Sequence, residues 1–349
     1  MKKIDWLRYN GSMQQAAYVR RIEYEEGRSK GMRAVEVKNG PMRFTVMEDK
    51  AIDICELEYK GMQMNFLSKP GLNGRNPFDT HGTEAQRSIM GGLFFTCGLE
   101  NICAPYIDRN GKEYPMHGRM RTTPAEHICA DSVWNGDDYV MTVKGEMREA
   151  ELFGENLVLR RTITTKLGES LIHIDDQITN EAFRPEPMML MYHCNIGWPF
   201  LSEKSRLVLP TRKVTPRDRI AAVHIDSWNV MSSPRENEPE CVYLHELTGN
   251  EKGETFAAVI NDEQKLAFVI EFNRSQFPYF MQWKSIASGD YALGLEPSNS
   301  SVYGRPYHEK EGTLHMLEPQ AAESKRLTFK ILEGSEAIME LERRRDLLL

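Results

Sequence analysis

The chain has 349 residues, 40% hydrophobic and 27% charged, with 44 Lys and Arg against 51 Asp and Glu and a formal net charge of −7. Such a balance belongs to a globular protein with a substantial core, not to a disordered segment. It also argues against a nucleic-acid partner, because phosphate contacts require clustered Lys and Arg.

In chain order, short alternating or β-branched runs recur from one end to the other: residues 33–37, 52–59, 157–165, 171–179, 255–260, 266–272 and 325–332. Period-two runs of this length predict strands whose two faces differ. Turn-forming residues such as Asn39-Gly40, Asn135-Gly136 and Gly289-Asp290 bound most of them. Helical periodicity is nearly absent until the tail, where Ser335 is placed to cap a helix over about residues 335–347. Many strands and few helices predict an all-β fold, a large antiparallel β-sandwich. No glycine-rich phosphate loop follows a strand, and no linker divides the chain; the polar stretch 232–239 reads as a surface loop. A single domain over residues 1–349 is therefore expected.

Behind the charged start Met1-Lys-Lys3 no apolar run follows, and no stretch nears the roughly 20 apolar residues that span a bilayer. The six cysteines (Cys55, Cys97, Cys103, Cys129, Cys194, Cys241) are scattered without a Cys-x-x-Cys pair. That is the pattern of reduced thiols in a cytoplasmic protein and not of a disulfide scaffold. Metal-ligand spacing is missing too, so neither a metal nor another cofactor is expected, nor a membrane partner. Monomer and homodimer both stay open.

Some stretches carry polar groups that apolar strands do not need. Tyr114-Pro-Met-His-Gly-Arg-Met-Arg121 gathers His117, Arg119 and Arg121 beside a glycine that admits a ligand to the backbone. If extended, the odd spacing puts all three on one face; a solvated loop accounts for them equally well. Met188-Met-Leu-Met-Tyr-His-Cys-Asn195 is an apolar strand delivering His193 and Asn195 to one face, with a hydrogen-bonded structural histidine as the competing reading. Ala292-Leu-Gly-Leu-Glu-Pro297 ends in Glu296, a carboxylate costly to bury unless something uses it. Phe280-Met-Gln-Trp-Lys284 offers Gln282 and Trp283, an amide and an aromatic plane of the kind sugar sites use, against core packing as the plainer account.

His117-Gly118 followed by Arg121, then Tyr192-His-Cys-Asn195, then Gly294-Leu-Glu-Pro297 stand in the order seen in aldose 1-epimerases. The whole chain resembles the galactose-mutarotase-like superfamily. Gly91-Gly-Leu-Phe-Phe-Thr-Cys-Gly-Leu99, Asn101, His117-Gly-Arg119, Ile52-Asp-Ile54 and Asp176-Gln-Ile-Thr-Asn180 resemble an uncharacterised branch of it, over about residues 18–332. The resemblance implies a large antiparallel supersandwich with its site in a concave cleft on one sheet. It further implies a cofactor-independent isomerase, an aldose 1-epimerase (mutarotase) of carbohydrate metabolism whose partner is a small-molecule carbohydrate. On that resemblance His193 is the general acid, Glu296 the general base, His117 a substrate-binding histidine and Arg121 the arginine of the His-Gly-x-x-Arg motif. Arg119, Asn195, Gln282 and Trp283 complete the expected pocket. Two positions depart from the pattern. Met90 stands where the hexose 6-phosphate branch has an arginine before the Gly-Gly pair, with Arg87 out of register, which argues against phosphorylated sugars. Lys50 stands where related sequences often carry Arg before the Asp-Ile motif.

Exchanging anomers requires the C1–O5 bond to open, the C1–C2 bond to turn and the ring to reclose. A base that takes the anomeric hydroxyl proton and an acid that protonates O5 suffice. Ordinary values of about 4.3 for Glu and about 6.5 for His bracket that need, and a nearby carboxylate is expected to favour the His193 imidazolium. Cys194 follows His193 on a strand and so faces the other way, which removes a Cys–His nucleophile. Glycoside hydrolysis needs a second carboxylate; Asp290, Glu100 and Glu271 are available, but the sequence brings none to Glu296. A non-catalytic sugar-binding or sensing protein with the same pocket is the alternative, and a metal site using His117 and His193 a third.

Overall fold

The structure, a computed structural model, describes residues 1–74 and 82–349. Alternation in the sequence becomes burial of one face. In Asn156–Lys166 and Leu171–Asn180, buried side chains recur at every second position over most of each strand. These two pair antiparallel near the middle of an eight-stranded sheet. Its order is Glu126–Asn135, Asp138–Ala150, Asn156–Lys166, Leu171–Asn180, Ala322–Glu333, Leu266–Asn273, Glu254–Asn261, Ser205–Val208. A six-stranded sheet packs on it, ordered Thr211–Pro216, Cys241–Leu247, Tyr279–Ala287, Asp290–Ser298, Met189–Gly197, Phe94–Leu99. A five-stranded sheet from Tyr18–Glu23 to Met62–Gln63 completes the large sheets. The architecture is a large antiparallel β-sandwich.

One apolar cluster fills the interior between the two larger sheets. Phe94, Tyr192 and Leu295 enter it from the six-stranded side, and Leu159, Ile174 and Phe329 from the eight-stranded side. Each such side chain contributes about 1.5–3 kcal/mol by leaving water. Met189–Gly197 is buried at every position because both its faces are covered. Leu190, Tyr192, Cys194 and Ile196 enter the sandwich core. Met189 and Met191 join Phe95, Cys97 and Met281 in a second cluster on the outer face, capped by Met32, Ala34, Met47 and Cys55.

The interior also consumes three charged residues. Arg161 is fully buried and donates to Asp53 Oδ1 at 2.6 Å, to Asp176 Oδ1 and Oδ2 at 2.9 and 2.6 Å, and to Thr96 Oγ1 at 2.9 Å. The Tyr192 hydroxyl donates to Asp176, and Asp53 accepts from both the Thr96 amide and hydroxyl. Buried charges cost several kcal/mol each unless paired and hydrogen-bonded in this way. Burial still pushes Asp53 up to about 6, against the pull of Arg161.

The helix Ser335–Leu348 lays Ile338 and Leu341 on the other side of the eight-stranded sheet, against Phe256, Ala258 and Val269. Ser335 is its first residue and not its cap; Gly334, with φ of 95°, precedes it and no side chain caps the end. Among the described residues, no helix is long and apolar enough to cross a membrane.

Candidate active site

A cavity of about 680 Å³ opens on the outer face of the six-stranded sheet. Strand register assembles its floor. Phe95 stands opposite His193, Asn195 opposite Gly294, and Gly294 opposite Trp283. Opposed residues on neighbouring strands share a face, so Phe95, His193, Asn195, Trp283 and Glu296 all line the cavity, and His117 joins them from a loop.

His193 Nε2 lies 3.2 Å from Glu296 Oε1. Both residues are buried, at 8% and 4% exposure, and neither Glu296 Oε1 nor His193 Nδ1 has a hydrogen-bond partner among the described residues. The two groups are close but not aligned. Leaving such atoms unpaired costs free energy, and beside a cavity it fits a place where a ligand supplies the partner. Gly294 makes the approach possible: a Cβ there would sit 2.8 Å from Glu296 Oε1, 2.9 Å from Trp283 Cβ and 3.2 Å from His193 Cε1.

Rings surround His193. Phe95 stacks on it at 4.7 Å between centroids, and His117 and Trp283 meet it edge-on at 5.6 Å each. The Trp283 indole N–H donates to Glu240 Oε2 at 2.7 Å, and Glu240 is held in turn by Arg217 at 3.2 Å. Asn195 donates to the His193 carbonyl at 2.9 Å. His117 reaches the cavity by a left-handed backbone (φ 60°), with its Nδ1 3.2 Å from Cys97 Sγ. Gly118 follows, also left-handed, where a Cβ would meet the carbonyl oxygens of Gly98 and Asn101 at 2.2 and 2.6 Å. The His-Gly pair is thus a backbone requirement as much as a chemical one.

Burial sets the protonation states. It pushes Glu296 up to about 8, helped by the nearby Glu240 charge, and pushes His193 down to about 4. His117 falls well below its ordinary value for the same reason. The expectation that a neighbouring carboxylate favours the His193 imidazolium is therefore corrected, because desolvation outweighs the carboxylate. Near neutrality the pair is therefore a protonated Glu296 beside a neutral His193.

Three residues expected in the pocket do not line it. The segment after His117 is not extended but turns into a short 3₁₀ helix, Met120–Thr122, so period-two reasoning fails there. Arg119 pairs with Glu100 and donates to the Glu113 carbonyl. Arg121 is buried and donates to Ser88 Oγ at 3.0 Å. Gln282 lies on the opposite face of its strand from Trp283; its carbonyl pairs with His245 Nε2 at 3.0 Å and its amide donates to the Trp228 carbonyl. Cys194 points into the sandwich core.

Sequence reasoning missed Phe95, Gly294, Arg217 and Glu240. Glycine inside the apolar strand before Glu296 was a usable signal for a close approach; the other three meet the site only through tertiary pairing. Of the carboxylates considered for hydrolysis, Asp290 lines the cavity but is paired with Lys69 at 2.6 Å. Glu100 pairs with Arg119, and Glu271 with Arg344. Among the described residues, no three His, Cys, Asp or Glu side chains are grouped to hold a metal ion.

Residues 29–331 match the family model described as Domain of unknown function (DUF4432). No curated protein matches the chain significantly. Solved structures do. A candidate aldose 1-epimerase from Klebsiella pneumoniae is similar at 22% identity with a TM-score of 0.88, over 95% of this chain and 87% of that one. A galactose mutarotase-like protein from Clostridium acetobutylicum is similar at 13% identity and a TM-score of 0.61, over 92% and 100%. A galactose 1-epimerase from Lactobacillus acidophilus NCFM is similar at 13% identity and a TM-score of 0.58, over 91% and 99%. At these identities the likeness is one of fold.

Proposed function

We propose that this chain, which belongs to the DUF4432 family, is a single-domain, cytoplasmic mutarotase-like isomerase that exchanges the anomers of a sugar by general acid–base ring opening. The observation that carries the reading is the buried His193–Glu296 contact at 3.2 Å on the floor of a cavity wide enough for a pyranose. His117, Asn195 and Trp283 stand around it as the groups that meet the sugar.

The pair holds one exchangeable proton, which burial leaves on Glu296; it passes to His193 once the sugar is bound, because ring opening needs the carboxylate and the imidazolium. With the ring closed, Glu296 as carboxylate takes the anomeric hydroxyl proton while His193 as imidazolium protonates O5, and the C1–O5 bond breaks. The pair is then neutral: Glu296 carries the proton and His193 does not. After rotation about C1–C2, Glu296 returns its proton to the aldehyde oxygen and His193 takes the O5 proton as the ring recloses on the other face. Burial favours the neutral arrangement, the one that accompanies the open-chain aldehyde. The two arrangements differ only in where one proton sits, and no group is consumed.

The test is Glu296→Gln. Saturation-transfer NMR across a panel of aldoses should show catalysed exchange falling by at least about a hundredfold, the scale of one positioned acid–base group, while ligand-induced stabilisation by the same sugars persists. Full-rate exchange in the variant removes the role given to Glu296. Saturable sugar binding by the unaltered protein without any exchange leaves it a sugar-binding or sensing protein.

A further inference from the structure

We propose that Phe95 is a positioning residue for His193: its ring is the surface on which the imidazole lies, and that stacking, together with the neighbouring Asn195 side chain, aims His193 at the substrate. This rests on the reading of His193 as half of an anomer-exchanging pair.

A catalytic imidazole is ordinarily oriented by a hydrogen bond to its second nitrogen. Here His193 Nδ1 is buried with no partner among the described residues, and Nε2 approaches Glu296 without alignment. The Asn195 side chain beside the ring favours its charged form, and packing constrains the ring further. Phe95 stands directly opposite His193 in the strand register, 4.7 Å away between centroids and inclined by only 17°. The other two rings touch His193 by an edge, at 83° and 66°. Phe95 itself is 3% exposed and anchored in the outer apolar cluster with Cys97, Met191 and Met281. It also meets His117 edge-on at 5.6 Å, so one ring sets the spacing of both histidines.

The stack has an electrostatic consequence. An aromatic face within about 6 Å attracts a cation above it, so Phe95 favours the imidazolium that the closed-ring complex needs, in a pocket where burial works the other way. The titratable groups facing His193 are Glu296 on the adjoining strand and His117 from the loop. Cys97 lies beside His117, and Arg217 and Glu240 stand farther along the cavity wall. None of them offers a comparable flat surface.

Phe95→Leu keeps the site apolar and removes the face; Phe95→Tyr keeps the face. In Phe95→Leu we expect kcat for anomer exchange to fall about tenfold with KM within twofold. The His193 titration, read by NMR on ring-labelled histidine and assigned with His193→Gln, should move to lower pH. Phe95→Tyr should restore both. If Phe95→Leu does not fold, Phe95→Met replaces it, with the same expected outcomes. Unchanged kcat and an unmoved His193 titration in a folded variant overturn the proposal. If the unaltered protein exchanges no sugar, the mutarotase reading fails separately, and the His193 titration alone decides the part played by Phe95.

Discussion

Adjacent residues on one strand show two ways of burying a polar group. Tyr192 faces the sandwich interior and joins Arg161, Asp53, Asp176 and Thr96 in a network whose donors and acceptors find one another. His193 faces the cavity, where it and Glu296 each keep a buried atom unpaired. The inner network is complete without a ligand; the outer pair is not. His245 is an inner-face exception, with Nδ1 unpartnered among rings of Trp228 and Phe280. The difference teaches that burial alone does not mark the site. What marks it is burial without satisfaction beside a cavity.

Gly294→Ala is expected to have the largest effect on the outer face. Its Cβ would intrude on Glu296 Oε1 and His193 Cε1 while the backbone stays in an ordinary extended conformation. Anomer exchange should fall by about a hundredfold or more, the scale of one acid–base group, while the clash with Trp283 Cβ costs about 1–3 kcal/mol of stability and leaves the chain folded. A variant with full exchange would show that the pair tolerates displacement.

On the inner face the expected loss is of stability. Arg161→Met leaves two buried carboxylates without their cation, which should cost about 3–5 kcal/mol in denaturant unfolding. Tyr192→Phe, which removes one donor to Asp176, should cost about 1–2 kcal/mol. If Arg161→Met unfolds like the unaltered protein, the network is not what holds these strands.

These two faces were unequally legible in the sequence. Alternation in residues 171–179 is visible because one face is buried, and His193 and Asn195 follow from that period. The same rule applied to Gln282 and Trp283 separates them onto opposite faces, and the structure obeys it. Arg119 and Arg121 were misplaced because left-handed turns at His117 and Gly118 end the period just where it was being extrapolated. The partners Phe95 and Glu240 and the depth that shifts Glu296 and His193 come from segments distant in sequence, and no local pattern encodes them.

The outer pair also predicts a pH signature. One shared proton is held between about 4, where His193 charges, and about 8, where Glu296 ionises, so exchange should be roughly level across that window and fall at both ends. Stability carries the matching signs. Glu296 binds its proton more tightly folded than unfolded, so its penalty is absent below its ordinary 4.5 and grows as pH rises to about 8. Lowered His193 and His245 do the reverse: their penalty is absent above 6.5 and grows as pH falls to about 4. Glu296→Gln should therefore melt higher than the unaltered protein at pH 8 and alike at pH 4.5. Equal melting at pH 8 would mean that Glu296 is ionised in the fold.

The smallest expected change in activity sharpens where the pocket ends. Arg119 was a reasonable sugar contact by sequence, but its guanidinium turns to Glu100 and the Glu113 carbonyl, away from the residues that line the cavity. Arg119 is one-third exposed but Glu100 is buried and, among the described residues, keeps only Lys112 at 3.5 Å as a cation, so Arg119→Ala should cost about 1–3 kcal/mol of stability. Its KM for whichever sugar is exchanged should stay within twofold, whereas Trp283→Ala, which removes a cavity wall, should raise KM clearly. A KM that rises as much for Arg119→Ala as for Trp283→Ala would mean that the arginine swings into the cavity when sugar binds, and the boundary between structural and ligand-facing polar groups would then have to be redrawn around residue 119.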